Sequence, residues 1–261
     1  MQQVVSPDGT SVGVFRSGKG PPLVLVHGAA ADHSRWAPVL PALEQHFTVL
    51  AMDRRGRGQS GDGDGYEIER EYEDLVAVVE SAGDAVSVLG HSYGGFCALE
   101  AALLTDRVAK LVLYEPPLGY LRSPPEVVQR LRALLEAEER DELVAFFMRE
   151  VAGLPPDQVE LLRRQPAWEA RLAAAGTIPR EEAANREYRF DPGRFRDVHV
   201  PTLFLLGGDS PGPFSAAGEA AEEALPDCRI VVMPGQRHAA MDTATDMFAG
   251  HVVSFLTEET R

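Results

Sequence analysis

Four short apolar runs, separated from one another by helical patterns, most constrain how this chain of 261 residues can fold. Runs of this length without polar alternation are typical of strands that are buried on both faces. They are PPLVLVHG at 21–28, FTVLAMD at 47–53, AVSVLG at 85–90 and VAKLVLYE at 108–115. The strand–helix–strand–helix order predicts an α/β fold with a mostly parallel central sheet that is flanked by helices on both faces.

The alternation of strands and helices stops between about residues 118 and 197. Helical patterns separated by prolines follow one another there, and none of these segments has the character of a strand. The alternation resumes with VPTLFLLGGD at 200–209 and continues to the last residues. We therefore expect an all-helical cap, or lid, at 118–197, inserted into an α/β core that is formed by 1–117 and 198–261.

The charge of the chain bears on its partners. Its formal net charge is −15, so it should repel nucleic acid and anionic membrane surfaces. No apolar run approaches the roughly 18 residues of a membrane span, and MQQVVSPDGT at the start lacks the pattern of a secretion signal. We expect a soluble, cytoplasmic monomer or homodimer that acts on a small molecule. The two cysteines, Cys97 and Cys228, have neither metal-binding nor disulfide-framework spacing.

The pentapeptide Gly90-His91-Ser92-Tyr93-Gly94 lies where a strand is expected to end and a helix to begin. It matches G-x-S-x-G, a tight turn in which the serine has strained backbone angles and its hydroxyl projects from the end of the sheet. Neighbouring backbones pass so closely there that side chains at the two glycines would clash. The free N–H groups at the start of the helix would stabilise negative charge beside the serine. Ser92 is therefore the candidate nucleophile.

Five segments together resemble the α/β-hydrolase fold, and they occur in the order of that superfamily. They are VLVHG at 24–28, DRRGRGQS at 53–60, GHSYGG at 90–95, LLGGDS at 205–210 and GQRHAAM at 235–241. The resemblance implies a serine-nucleophile member, similar to an esterase or thioesterase, with a helical cap and with no cofactor or metal. Dehalogenases and epoxide hydrolases of this fold place an aspartate at the nucleophile position, so Ser92 argues against both.

A serine hydroxyl is a weak nucleophile without a base, and the superfamily order places a histidine last. Three histidines follow Ser92, namely His199, His238 and His251. His199 lies beside a proline at the start of a strand, and His251 lies within the last helix. His238 lies in a loop after the last apolar strand, at the sheet edge where Ser92 is expected. We therefore predict that His238 is the general base.

Two carboxylates compete for the role of the acid that orients His238. Asp209 ends the LFLLGGD run at the same sheet edge and is the first choice. Glu115 ends KLVLYE, one strand earlier, and is the alternative because a carboxylate there can reach the same histidine. Substituting each residue separately by its amide would distinguish them.

Stabilising an oxyanion requires two N–H donors, and we assign them to Tyr93, directly after the nucleophile, and to Ala29, in the loop after the first parallel strand. The large apolar residues of the insertion are candidates for lining a substrate pocket. The candidates are Phe146, Phe147, Trp168 and Tyr188. The alternative interpretation of each is packing between cap helices.

These residues predict a serine hydrolase that cleaves a carboxylic ester or thioester of a small, mostly apolar substrate through an acyl-enzyme. The same triad also serves C–C bond hydrolases and cofactor-free perhydrolases, and the fold does not choose among these reactions. A third hypothesis is a receptor-like module that binds a ligand and keeps a vestigial triad.

Overall fold

One eight-stranded sheet forms the centre of the protein in the computed structural model, which describes residues 1–165 and 167–259. Its strands are β1 (Gln2–Val5), β2 (Ser11–Gly18), β3 (Pro22–Val26), β4 (Thr48–Met52), β5 (Val86–His91), β6 (Val108–Tyr114), β7 (Thr202–Gly207) and β8 (Cys228–Met233). Their order across the sheet is β1-β2-β4-β3-β5-β6-β7-β8. β2 pairs antiparallel with β1 and β4, whereas the strands from β4 to β8 are parallel. The predicted α/β class is confirmed.

Helices cover both faces of this sheet. In chain order they are α1 (Leu40–Leu43), α2 (Ile68–Ala82), α3 (Tyr93–Ala101), α4 (Pro125–Glu136), α5 (Arg140–Glu150), α6 (Pro156–Arg163), α7 (Ala167–Ala174), α8 (Ile178–Glu187), α9 (Gly212–Ala224), α10 (Ala240–Thr243) and α11 (Thr245–Thr257). Within the described part of the chain, none of them is long and apolar enough to cross a bilayer.

The central strands are apolar at nearly every position because successive side chains enter two different cores. In β3, Val24 and Val26 belong to the apolar cluster that includes residues of α2 and α3. Leu23 and Leu25 belong to the opposite cluster, which includes residues of α11. This double burial holds the strand ends rigidly at one edge of the sheet, where the candidate catalytic residues lie.

The helices α4 to α8 all lie between β6 and β7, in the segment where we expect the cap. Across 118–165 and 167–197 the structure has no strand. These helices pack around an apolar cluster of their own. Its buried members include Leu131, Leu143, Val144, Phe147, Trp168 and Ile178. Ala30 of the core belongs to the same cluster, so the centre of the insertion reaches the loop that follows β3.

A buried carboxyl group holds part of the insertion in place. Glu182 of α8 is 5% exposed, and its Oε2 accepts a hydrogen bond of 2.6 Å from the Ser123 hydroxyl. Burial raises the pKa of Glu182 from 4.5 to about 7, with Ser123 opposing and Glu181 reinforcing the change. Because the unfolded chain loses this proton at lower pH, the associated stability is present at low pH. It is lost as pH rises through about 7.

We expect Glu182→Gln to stabilise the protein increasingly as pH rises, because the amide keeps an acceptor for Ser123 without a charge to bury. Between about pH 5.5 and 8, the unfolding free energy of the variant relative to wild type should grow by about 2 kcal/mol. Chemical denaturation at several pH values measures this difference. Glu187→Gln, at an exposed position of the same helix, is the matched control. A difference that does not change with pH would contradict the assignment.

Candidate active site

The turn between β5 and α3 depends on close backbone contact. A Cβ atom on Gly94 would lie 2.3 Å from the Val26 carbonyl oxygen, and one on Gly90 would lie 2.5 Å from the Gly94 carbonyl oxygen. Both distances are far shorter than real carbon contacts, so only glycine fits. Ser92, between them, has φ 53° and ψ −123°, which is strained for a residue with a side chain. The serine is thus held in an unfavourable conformation by the packing around it.

The loop after β3 meets the nucleophile directly. A Cβ atom on Gly28 would lie 3.0 Å from the Cβ of Ser92. Across the described residues, the backbone N–H groups of Ala29 and Tyr93 donate to no protein acceptor. Tyr93 is the first residue of α3, where a free N–H group is expected. The two N–H groups that we assign to the oxyanion hole are therefore on the segments that adjoin Ser92.

His238 is held by Glu115. The distance between the His238 Nδ1 and the Glu115 Oε2 is 2.6 Å, and Glu115 is fully buried. The other Glu115 oxygen accepts a hydrogen bond of 2.7 Å from the Gly207 N–H. Since the Nδ1 proton faces a carboxylate, the Nε2 of His238 is left as the basic nitrogen. The Phe214 ring stacks on the imidazole, 4.6 Å from it between ring centres.

Asp209, our first choice for the acid, lies elsewhere. It is exposed, and its backbone N–H donates to the Gln236 carbonyl. Among the described residues, its carboxylate takes part in no hydrogen bond or ion pair, including with His238. The structure therefore favours the alternative acid, Glu115. The reason lies in where each strand ends: Glu115 is the first residue past β6, whereas Gly207 and Gly208 carry the chain into an exposed turn before Asp209.

The backbone of Glu115 is strained as well, with φ 46°. A non-glycine residue at positive φ persists only when the surrounding structure imposes it. Ser92 and Ala30 share this property, with φ values of 53° and 50°. All three lie just beyond the carboxyl ends of parallel strands, so the strained positions converge on one edge of the sheet.

The other histidines do not join this group. His199 is exposed and precedes β7, at the opposite end of the sheet, and His251 lies on α11. His27 is fully buried: its Nδ1 donates to the Gly28 carbonyl, and its Nε2 accepts from the Arg54 N–H. Burial, together with the nearby Arg54, holds the pKa of His27 well below its ordinary value. It is a neutral, structural residue of the loop.

A buried charged network holds the Tyr93 side chain, and sequence reasoning missed it. The Arg54 guanidinium lies 4.5 Å from the centre of the Tyr93 ring, and the Tyr66 and Tyr93 hydroxyls are 2.9 Å apart. Arg54 also pairs with Glu71 and with Glu181 of α8. Burial opposes the charge of Arg54, but the two glutamates outweigh it and hold the pKa of Arg54 well above its ordinary value. The network ties the insertion to the residue after the nucleophile.

The large residues of the insertion fall into two groups. Phe147 and Trp168 are buried in the insertion's own cluster, and Phe146 packs at its margin. The Trp168 Nε1 donates to Asp141, 2.8 Å away. Tyr188 instead packs on the core, with its ring 4.1 Å from that of Phe96. Because Ala29 packs against the same insertion cluster, the apolar residues of the insertion border the nucleophile's surroundings.

One group of side chains has the composition of a cation site. The ligand atoms of Asp32, His33 and Asp53 lie within 4.8 Å of one another. Protein donors already engage these acids: Asp53 accepts from the His33 Nδ1 and from the Gln59 N–H, both at 2.8 Å, and Asp32 accepts from the Ser34 N–H at 2.9 Å. The cluster therefore has a structural explanation in the loops after β3 and β4.

The sheet, the strained serine and the buried Glu115–His238 pair define a protein of the hydrolase class. A sequence model of the alpha/beta hydrolase family matches residues 23–251, and the chain belongs to this family. A crystal structure of an alpha/beta hydrolase from Sphaerobacter thermophilus is similar to it at 37% identity, with a TM-score of 0.87. That comparison covers 98% of this chain and 100% of the other.

Two further relatives catalyse different reactions. A pimeloyl-(acyl-carrier protein) methyl ester esterase from Vibrio atlanticus is 28% identical, over 92% of this chain and 95% of its own. A 2-hydroxy-6-oxo-6-(2'-aminophenyl)hexa-2,4-dienoic acid hydrolase from Metapseudomonas resinovorans is 26% identical, over 98% and 91%. The relatives are hydrolases, but they do not share one substrate.

We predict that Glu115→Gln lowers kcat by roughly 10³- to 10⁴-fold, because an amide cannot hold His238 in the required tautomer or stabilise its protonated form. Asp209→Asn should stay within about threefold of wild type, since this carboxylate makes no contact with the base. Steady-state kinetics of both variants on one activated ester decides between the two acids. A larger loss in Asp209→Asn than in Glu115→Gln would reverse the assignment.

Proposed function

We propose that the protein is a serine hydrolase that cleaves a carboxylic ester or thioester through an acyl-enzyme, with Ser92, His238 and Glu115 as its triad. The observation that carries the proposal is the hydrogen bond of 2.6 Å between the His238 Nδ1 and the buried Glu115. The strained turn at Ser92 supports it, because such strain is stored at functional positions. Membership of the alpha/beta hydrolase family supports it too.

In the proposed reaction, the Ser92 hydroxyl attacks the substrate carbonyl carbon while the His238 Nε2 accepts its proton. The Ala29 and Tyr93 N–H groups donate to the oxygen that becomes negative, and each such donor is typically worth about 3 kcal/mol of transition-state stabilisation. His238 then protonates the leaving alkoxide or thiolate. Water, deprotonated by His238, attacks the acyl carbon, and collapse of the second intermediate frees the acid and regenerates Ser92.

Glu115 stabilises the protonated state of His238 during both steps. A carboxylate that is fully buried and held by the Gly207 N–H has a fixed position. It therefore need not be reorganised when the imidazolium forms, which is the advantage of a preorganised charge. Its Oε2 keeps the imidazole ring in one orientation, with Nε2 available for proton transfer.

We propose a small, mostly apolar acyl group for the substrate. Ala29 and Ala30, beside the nucleophile, pack against the apolar cluster of the insertion. A site bordered by such side chains gains most from burying hydrocarbon and offers few partners to polar groups. Phe146, Phe147 and Trp168 are the large members of that surface, and we propose that this cluster sets the permitted acyl length.

Cleavage of a carbon–carbon bond is the second candidate function. The relative from Metapseudomonas resinovorans is named as a hydrolase of a 2-hydroxy-6-oxo-dienoic acid, and its similarity extends over 98% of this chain. The relative from Vibrio atlanticus, of similar identity, is named as an ester hydrolase. We favour the ester or thioester because the chemistry of the proposed triad suffices for it.

A fluorophosphonate probe tests the proposed nucleophile. We expect the wild-type protein to be labelled on Ser92 within minutes, because the activated hydroxyl attacks the phosphorus. Ser92→Ala should abolish labelling, while Ser254→Ala, at an exposed position of α11, should retain it. Intact-protein mass spectrometry gives the readout. An unlabelled wild type would contradict the hydrolase proposal and favour a binding module with a vestigial triad.

A substrate panel tests the type of bond. We expect p-nitrophenyl esters and acyl thioesters of two to eight carbons to be hydrolysed at least tenfold faster, in kcat/KM, than a vinylogous diketone of matched size. Ser92→Ala should lower the preferred activity by roughly 10⁴-fold or more. Faster turnover of the diketone would instead establish the carbon–carbon hydrolase.

A further inference from the structure

A second histidine contacts the candidate base. His91, the residue before Ser92, is buried, with its ring 4.6 Å from the ring of His238 and 5.0 Å from that of Tyr114. The His91 Nε2 lies 3.0 Å from the backbone carbonyl oxygen of His238. The mechanism above uses Ser92 and leaves His91 without a role. Its position, wedged between the ends of β5 and β6 and the His238 loop, calls for one.

The direction of this hydrogen bond follows from the carbonyl, which can only accept. The His91 Nε2 must therefore carry the proton, and its Nδ1 has no partner among the described residues. Burial lowers the pKa of His91 well below its ordinary value, and the nearby His238, Arg35 and His27 lower it further. The Tyr114 phenol faces the same ring. His91 is thus a neutral donor aimed at the main chain of the base.

Tyr114 holds the same loop from the next strand. Its hydroxyl donates to the Arg237 carbonyl and accepts from the Ala240 N–H at 2.8 Å. The two strands end in the same way, since His91 precedes the nucleophile and Tyr114 precedes the acid. Each pair of neighbouring residues combines one side chain that holds the loop with one that is proposed to react.

We propose that His91 is a positioning residue, which fixes His238 over Ser92 through the hydrogen bond from its Nε2 to the His238 carbonyl. The inference rests on the proposed function and deepens it by adding a residue that acts through the base. Losing the bond frees one side of the loop, and small displacements of a catalytic group reduce the rate steeply, by as much as about 100-fold for 1 Å. The effect belongs to kcat, because His91 is not proposed to touch the substrate.

The test compares His91→Leu, which removes the donor, with His91→Gln, whose amide nitrogen can take the place of Nε2. We expect kcat on an activated ester to fall about 10- to 100-fold in His91→Leu, with KM within about twofold of wild type. His91→Gln should recover kcat to within about threefold of wild type. His199→Leu, the same change at an exposed site at the opposite end of the sheet, is the matched control and should leave kcat unchanged. If His91→Leu does not fold, His91→Asn, whose amide is too short to reach the carbonyl, replaces it.

Proton NMR supplies a readout that fold stability alone would not move. The short Glu115–His238 hydrogen bond should give a low-field proton resonance. We expect it in wild type, His91→Gln and His199→Leu, and expect it broadened or lost in His91→Leu at temperatures well below that variant's melting point. Wild-type kcat in His91→Leu, or equal losses in the Leu and Gln variants, would overturn the inference. Failure of the proposed function is distinct, since it appears as a wild type that fluorophosphonate does not label.

Discussion

The site depends on one constraint, which is that the backbones of β3, β5 and α3 approach more closely than side chains allow. Val26 and Gly94 are in direct backbone contact, and any Cβ on Gly94 would penetrate the Val26 carbonyl. This contact forces the chain to reverse within one residue, Ser92, at a strain that is typically about 1–3 kcal/mol. The two apolar clusters on either face of the sheet offset that strain, because they fix both strands before the turn is made.

A second regularity follows from the parallel sheet. Adjacent parallel strands bring their carboxyl ends to the same edge, so β5 and β6 present His91-Ser92 and Tyr114-Glu115 side by side. The His238 loop then meets both strand ends at once: its main chain bonds to His91 and Tyr114, and its imidazole bonds to Glu115. One short loop, held at several points, is thereby placed without a large interface of its own.

The parts of this arrangement that could be predicted from sequence are local ones. The apolar strands and the glycines around Ser92 report on contacts within a few residues, so the fold class and the strained turn were accessible. The acid was not, because Asp209 and Glu115 both follow apolar strands at the same edge. Only the two residues between the end of apolar pairing and Asp209 decide the outcome, and whether they continue the strand or turn outward depends on contacts with residues 233–236. His91 was hidden for the same reason, since its partner lies 147 positions away.

The buried charges around Tyr93 couple the insertion to the core in a way that apolar packing does not. Arg54 and Arg57 face Glu71 and Glu181, so the group as a whole is close to neutral. A buried ion pair adds little net stability, because desolvation cancels most of the attraction, but an unpaired buried charge is very costly. Apolar contacts tolerate sliding, whereas Glu181 must return to the same two arginines. The network therefore specifies where α8 sits relative to α3, and with it the relation between the insertion and the residue whose N–H group adjoins Ser92.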